Sequence, residues 1–100
     1  MNNEPAFLAL KAVGGLSATA RLLNKDTSTV FRWRLSKGKG GAGGRVPPKN
    51  FFPIWCEAII RGSDLSLEEL VFTAEERAAI AELRQRTRSL ASPETIGDET

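Results

Sequence analysis

The hydrophobic pattern at the start of the chain predicts a first short helix. Ala6, Leu10 and Val13 recur at helical spacing, and a proline at position 5 suits the first turn. Gly14-Gly15 follows at once, and glycine adopts the left-handed conformation that closes a helix without steric cost. The first helix is therefore predicted to end at about Val13.

A second helix is predicted over 17–23. Ser17 is placed to act as its N-cap, and Ala20 and Leu23 are expected to face inward. Asn24 then makes the turn, because asparagine tolerates a positive φ better than other residues with a side chain.

A third helix is predicted from Asp26 to Leu35. The Asp26 carboxylate can cap its first turn and complement the helix dipole. Val30 and Trp33, three residues apart, are the expected inward-facing side chains. This helix therefore presents a mostly polar and basic outer face.

The next segment, 37–45, begins KGKGGAGG and has no large apolar side chain, which predicts a flexible basic loop. The pattern then returns to order at a VPP sequence and predicts a fourth helix closed by Gly62. One inward face of that helix is expected to carry four residues at helical spacing: Phe51, Trp55, Ala58 and Ile59.

Two capping-box spacings predict the remaining helices. Ser66 with Glu69 marks a short helix, and Thr73 with Glu76 marks a longer one within 72–91. The tail, 92–100, is polar and is expected to be disordered. Because no run of residues favours a strand, the predicted fold class is all-α.

Charge is distributed unevenly along the chain. The formal net charge is +2, but residues 1–50 hold nine basic side chains against two acids, a net +7, and residues 51–100 hold five arginines against ten acids, a net −5. The basic half is typical of a surface that faces a polyanion, although chance clustering on a solvated face is an alternative. The acidic half is a candidate surface for a protein partner.

Composition argues against several kinds of site and location. The chain has no histidine and one cysteine, Cys56, so neither an internal disulfide framework nor most zinc sites are expected. No cofactor or metal is expected, and the lack of a clustered acid, base and nucleophile set disfavours an enzyme. The cysteine content, the absence of a signal-peptide pattern and the absence of a membrane-spanning run favour a cytoplasmic protein.

The segment 16–35 combines the features that a helix-turn-helix requires. Two short helices must meet at a steep angle, which needs a small residue at their contact, a left-handed turn and an aliphatic side chain inside the second helix. Ala20, Asn24 and Val30 meet these needs, and Trp33 adds a large anchor below the second helix. A compact helix-turn-helix domain of about five helices over 1–71, with an additional C-terminal helix, is predicted.

The stretch GGLSATARLLNKDTSTVFRW, followed by a basic segment, VPP and an aromatic-containing helix, resembles the Cro-like phage repressors and in particular the YdaS-like helix-turn-helix family. The resemblance covers about residues 6–71. It implies a sequence-specific transcriptional regulator that reads the major groove of double-stranded DNA with the helix 26–35. Asn24 stands where the family usually has glycine, Phe31 where a small polar residue is common, and the segment 37–45 is longer than expected.

Candidate contacts follow from the way such a helix enters the groove. The N-terminal residues of a recognition helix face base edges, which nominates Thr27, Ser28, Phe31 and Arg32. Phosphate contacts are predicted for polar and basic residues around them, namely Ser17, Arg21, Lys25, Arg34, Lys37, Lys39 and Arg45. For Phe31 the alternative is packing against a neighbouring element, and for Arg21 and Arg34 it is simple solvation.

Two further alternatives concern partners. The main partner could be another protein, as for an antitoxin-like or a phage packaging or assembly protein. The C-terminal helix, with Ile80, Leu83 and Leu90, could form a homodimer seam or fold back to cover the core.

Overall fold

The computed structural model describes residues 3–90 and consists of helices joined by short turns. No strand occurs in that range, so the predicted all-α class is confirmed. The predicted disordered tail, 92–100, lies outside the described residues. The α-helices are α1 (Pro5–Val13), α2 (Leu16–Leu23), α3 (Thr27–Phe31), α4 (Phe51–Ile60), α5 (Leu67–Val71) and α6 (Ala74–Leu90), and 3₁₀ turns span Arg32–Arg34, Lys37–Lys39 and Pro48–Asn50.

The two predicted turns between the first three helices are confirmed. The amides of Gly14 and Gly15 donate to the carbonyl of Leu10 at 3.1 and 2.7 Å and close α1. Asn24 ends α2 with a φ of 57°, and the amide of Lys25 donates to the carbonyl of Ala20 at 2.9 Å. These bonds satisfy carbonyls that a helix leaves free at its C-terminus.

The two predicted side-chain N-caps in this region are wrong. α2 already begins at Leu16, so Ser17 lies inside its first turn. Gly15 is the residue before the helix and has a φ of 113°, which residues with a side chain rarely adopt. The helix therefore begins at Leu16, one residue before the predicted start. Asp26 does precede α3 as its N-cap residue, but its exposed carboxylate makes no capping hydrogen bond.

Both predicted capping boxes are present. The Ser66 hydroxyl accepts from the amide of Glu69 at 3.1 Å, and the Glu69 carboxylate accepts from the amide of Ser66 at 2.9 Å. Thr73 and Glu76 make the same reciprocal pair, at 3.2 and 3.0 Å, ahead of α6. Each box satisfies two backbone donors that a helix leaves free at its N-terminus.

The core is built around α1, which packs against α2, α4 and α5. Ala6, Ala9 and Val13 are buried on its inner face, where alanine lets the neighbouring helices approach closely. Ile54, Leu70 and Val30 are fully buried and come from α4, α5 and α3. The small domain therefore joins all of its first five helices in one hydrophobic cluster.

The predicted inward face of α4 is partly wrong. Ala58 is buried, and Phe51 and Trp55 pack partly buried against the core, but Ile59 is 60% exposed. Ile54, which sequence analysis did not select, is the most buried side chain of the helix. The helix is apolar on nearly all sides, so periodicity alone does not reveal which face the rest of the molecule covers.

The predicted flexible loop over 37–45 is an ordered and packed segment, so that prediction is wrong. The backbone amides of Ala42, Gly43 and Gly44 donate to the carbonyls of Arg32, Leu35 and Trp33 at 3.2, 2.8 and 2.7 Å. The Gly44 carbonyl accepts from the amide of Ala6 at 2.8 Å, which fastens the segment to α1. Backbone hydrogen bonds hold the segment where large apolar side chains are absent.

The last helix begins as predicted and leaves the core along its length. The amide of Ala74 donates to the Glu4 carboxylate at 3.1 Å, which fixes the start of α6 near α1. Side chains 81–88 are all exposed, including Leu83 at 54%, so this part does not fold back over the core. The side chain of Leu90 lies outside the described set.

Candidate nucleic-acid interface

The recognition segment is shorter as an α-helix than the predicted span from Asp26 to Leu35. α3 covers Thr27–Phe31, and a 3₁₀ turn over Arg32–Arg34 completes the segment. The amide of Leu35 donates to the carbonyl of Arg32 at 3.0 Å, the spacing of a 3₁₀ turn, so the α-helical hydrogen-bond pattern stops before Leu35. β-Branched Thr27, Thr29 and Val30 also have modest helix propensity, which favours a short helix.

Two buried side chains hold α3 against the rest of the domain. Val30 has no exposed surface and Trp33 is almost fully buried, as sequence analysis predicted. α3 packs against α2, where Ala20 is buried and brings the two helices close together. Ala20 at the helix contact, Asn24 in the turn, and Val30 and Trp33 below α3 therefore all take the structural roles predicted from the sequence.

The four candidate base-contacting residues lie together on the outer side of this segment. Thr27 and Phe31 are four residues apart, as are Ser28 and Arg32, so both pairs share one side of the segment. All four are exposed, and Phe31 keeps 42% of its surface in solvent. We refer to Thr27, Ser28, Phe31 and Arg32 as the α3 surface.

Phe31 has a close neighbour that sequence analysis did not identify. The guanidinium carbon of Arg34 lies 5.5 Å from the centre of the Phe31 ring, a cation–π arrangement. The spacing of three residues between an aromatic and an arginine in a helical segment was the available signal. Phe31 therefore packs against the Arg34 side chain and not in the hydrophobic core.

Most of the candidate phosphate-contacting residues are exposed next to the α3 surface in the fold. They belong to α2, which packs on α3, to the turn before α3, and to the segments that follow it. We define the flanking set as Ser17, Arg21, Lys25, Arg34, Lys37 and Lys39, of which only Lys25 is partly buried. Asp26 is the one acid in the sequence between Glu4 and Glu57, so little negative charge opposes this set.

Arg45 differs from the rest of the predicted phosphate contacts because it is already paired. Its guanidinium donates to both carboxylate oxygens of Glu76, with Nη2 to Oε2 at 2.6 Å and Nη1 to Oε1 at 3.2 Å. This bidentate hydrogen bonding raises the pKa of Arg45 and lowers the pKa of Glu76. Arg45 therefore joins the segment 37–45 to the start of α6.

Four of the seven acids that the structure describes in the C-terminal half are paired with arginines. Glu57 binds Arg61 at 2.8 Å, Glu76 binds Arg45, and Glu68 binds Arg84, whose guanidinium has its pKa raised by that hydrogen bond. Glu82 lies 3.8 Å from Arg86. Asp64, Glu69 and Glu75 form no ion pair, so ion pairs neutralise only part of the negative charge that the structure describes in this half.

The described residues contain no group of three or more histidine, cysteine or carboxylate side chains close enough to hold a metal ion. Between residues 3 and 90 no individual helix has both the length and the apolar character needed to cross a bilayer. α1 and α2 are long and apolar enough only when they are taken together, and the two helices meet at an angle of 84°.

Comparison of the chain with protein-family profiles, with curated proteins and with solved structures found no match in any of the three. The resemblance to the Cro-like and YdaS-like proteins therefore stays a prediction that depends on the residues quoted for it.

Proposed function

We propose that this protein is a sequence-specific double-stranded DNA-binding transcriptional regulator that inserts α3 into the major groove. The observation that carries the proposal is the division of the segment 27–34 into two sides. Val30 and Trp33 are buried below it, while Thr27, Ser28, Phe31 and Arg32 are exposed above it. A helix that enters the major groove must be anchored to its domain on one side and exposed on the other.

The α3 surface offers chemistry for reading bases. The Arg32 guanidinium has the fork of donors that matches O6 and N7 of guanine, and Phe31 can contact the methyl group of thymine. The hydroxyls of Thr27 and Ser28 can donate to or accept from base edges or phosphates. In this role Arg34 stabilises the Phe31 ring from one side while its charge faces the backbone of the duplex.

The flanking set supplies the electrostatic part of binding. Lysines and arginines that neutralise phosphates release counterions, which stabilises the complex and makes it sensitive to salt. These contacts position the protein without reading sequence. The packed segment 37–45 contributes by holding Lys37 and Lys39 at defined places close to the end of the recognition segment.

An alternative is an antitoxin-like or phage packaging or assembly protein whose main partner is another protein. The observation that favours it is the exposed half of α6, where side chains 81–88 all face solvent. If this alternative is right, removal of residues 73–100 should abolish the function that depends on the protein partner and leave the affinity for DNA intact.

The central test is selection from random duplexes followed by affinity measurement on the winning site. We expect Arg32→Ala to lose about 1–3 kcal/mol of discrimination at one or two base positions. Fluorescence anisotropy with matched and single-mismatch duplexes measures this loss. Arg86→Ala, which removes an exposed arginine of α6, is the matched control and should leave discrimination unchanged. An unaltered preference in Arg32→Ala would remove that residue from the reading set, and failure to retain any duplex at low salt would end the proposal.

A further inference from the structure

The outer side of α4 carries an apolar patch that the rest of the described chain leaves uncovered. Phe52 and Ile60 are each 75% exposed, and Ile59 lies beside them. Cys56 stands midway and is partly buried. The opposite side of the same helix provides Ile54 and Ala58 to the core, so the helix is apolar on both sides. We define the α4 patch as Phe52, Cys56, Ile59 and Ile60.

We propose that the α4 patch is the contact with a second copy of this chain, in which two α4 helices pack antiparallel about a twofold axis at Cys56. Phe52 precedes Cys56 by four residues and Ile60 follows it by four. In an antiparallel pair centred on Cys56, Phe52 of each copy therefore meets Ile60 of the other. The small residue at the centre lets the helices approach, and the large residues close the contact on both sides.

The charges around the patch are compatible with this register. Glu57 and Arg61 are paired within one copy at 2.8 Å. Phe51 and Trp55 pack against the core of their own chain, and the Arg61 guanidinium lies beside Gly14, so these residues of α4 are turned away from the patch. The patch itself contains no charged residue, so no like charges meet across the contact. The net charge of +2 per chain also gives little repulsion between copies.

The size of the patch indicates a weak dimer. Its three large side chains expose on the order of 400 Å² per copy. That is about half of the roughly 800 Å² per partner that a standard interface buries. A dissociation constant of roughly tens to a few hundred micromolar is expected without DNA. Two half-sites on one duplex would then hold two copies together, a consequence that rests on the proposed function, whereas the symmetry and charge arguments do not.

The patch is a different surface from the C-terminal helix seam considered from the sequence. α4 packs on α1, α2 and α5, and α3 is held mainly by α2 and the turn after it. The α4 patch and the α3 surface share no residue and lie on helices that do not pack closely against each other.

The test is the oligomeric state of the full chain without DNA. Sedimentation velocity from about 10 µM to about 500 µM should show a reversible monomer–dimer equilibrium, since that range brackets the expected constant. Ile60→Glu and Phe52→Glu should each weaken dimerisation by about tenfold or more. Both sites are exposed in the monomer, so circular dichroism should show unchanged helix content. Leu83→Glu, an exposed leucine on α6, is the matched control and should leave the equilibrium unchanged.

The position of Cys56 allows the register to be tested directly. A short bismaleimide should join Cys56 to Cys56 in the unsubstituted protein and fail to do so in Ile60→Glu. Dimers that survive both α4 variants, or that disappear in Leu83→Glu alone, would overturn the proposal. A monomer at every concentration would also overturn it and would leave the patch to residues 91–100 or to a different protein. Because no DNA is present, none of these outcomes depends on whether the protein binds duplexes.

Discussion

Gly41 packs directly against the backbone of Arg32 and Leu35, at the end of the segment that carries the α3 surface. A Cβ at this position would stand 2.5 Å from the carbonyl oxygen of Arg32 and closer still to that of Leu35. Both oxygens belong to backbone and accept hydrogen bonds from Ala42 and Gly43, so they cannot move aside without breaking those bonds. The missing side chain is therefore a structural requirement at the residue scale, and it acts on the element that carries the α3 surface.

We expect Gly41→Ala to lower the free energy of unfolding by about 1–3 kcal/mol, because overpacking against backbone cannot be relieved by a rotamer change. Urea denaturation measures the loss. Gly38→Ala is the matched control: nothing lies within 4 Å of its Cβ, so its stability should change little. Equal stability of the two variants would contradict the close packing of this segment.

At the scale of elements, the start of α6 is the point where three separate parts of the chain meet. Glu76 completes the capping box with Thr73 and also binds Arg45, while Glu4 accepts from the amide of Ala74. One carboxylate thus caps a helix and ties it to the segment that follows the recognition turn. This carboxylate is one of several contacts that hold α6, together with the hydrogen bond from Ala74 to Glu4 and the ion pair between Arg84 and Glu68.

Acidification should therefore loosen the start of α6. The hydrogen bonds from Arg45 and Thr73 lower the pKa of Glu76 below its ordinary value of 4.5. A lowered native pKa means that the stabilisation is fully present above about 4.5 and is lost as the pH falls through the native pKa. The measurement is the melting temperature between neutral and acid pH. Glu76→Gln should melt lower at neutral pH and show a shallower fall on acidification.

Glu75→Gln is the control for this prediction, since it removes a neighbouring charge of α6 that makes no ion pair within the described residues. It should preserve the acid-dependent fall. An identical pH profile for Glu76→Gln and the unsubstituted protein would show that the ion pair with Arg45 does not stabilise the fold.

At the scale of the whole molecule, charge is separated between the first and the second half of the chain. The basic residues of the first half have almost no acids beside them in the sequence, and three glutamates of the second half, Glu57, Glu68 and Glu82, pair with arginines of the same half. A duplex approaching the molecule would therefore be attracted mainly to the side that carries the α3 surface. This separation is more informative for orientation than the small net charge.

We expect Lys39→Ala to weaken binding to all duplexes about equally and to reduce the slope of log affinity against log salt by about 1. Anisotropy titrations at several salt concentrations, on the selected site and on an unrelated duplex, measure both effects. Lys11→Ala, which removes an exposed lysine of α1 outside the flanking set, should leave the slope unchanged. A loss confined to the selected site would place Lys39 among the base-reading residues.

Local sequence was enough to predict the order of helices, both turns around α2 and the two capping boxes. These features depend on residues within about one helical turn of each other, such as Asn24 with its positive φ or Ser66 with Glu69. The buried Val30 and Trp33, and with them the outward side of α3, followed from helical spacing in the same way. For this reason the exposure of all four α3-surface residues follows from local sequence.

The packing of distant segments determined the rest. Which side of α4 is buried depends on where α1 and α5 lie, and the helix itself is apolar enough to permit either choice. The segment 37–45 is ordered by carbonyls of the recognition turn, and Arg45 binds a carboxylate 31 residues away. Such contacts arise only when the chain has folded, because neither partner carries a local mark of the other. The exposed α4 patch and the contacts of Arg45 and Glu4 at the start of α6 thus belong to the tertiary structure alone.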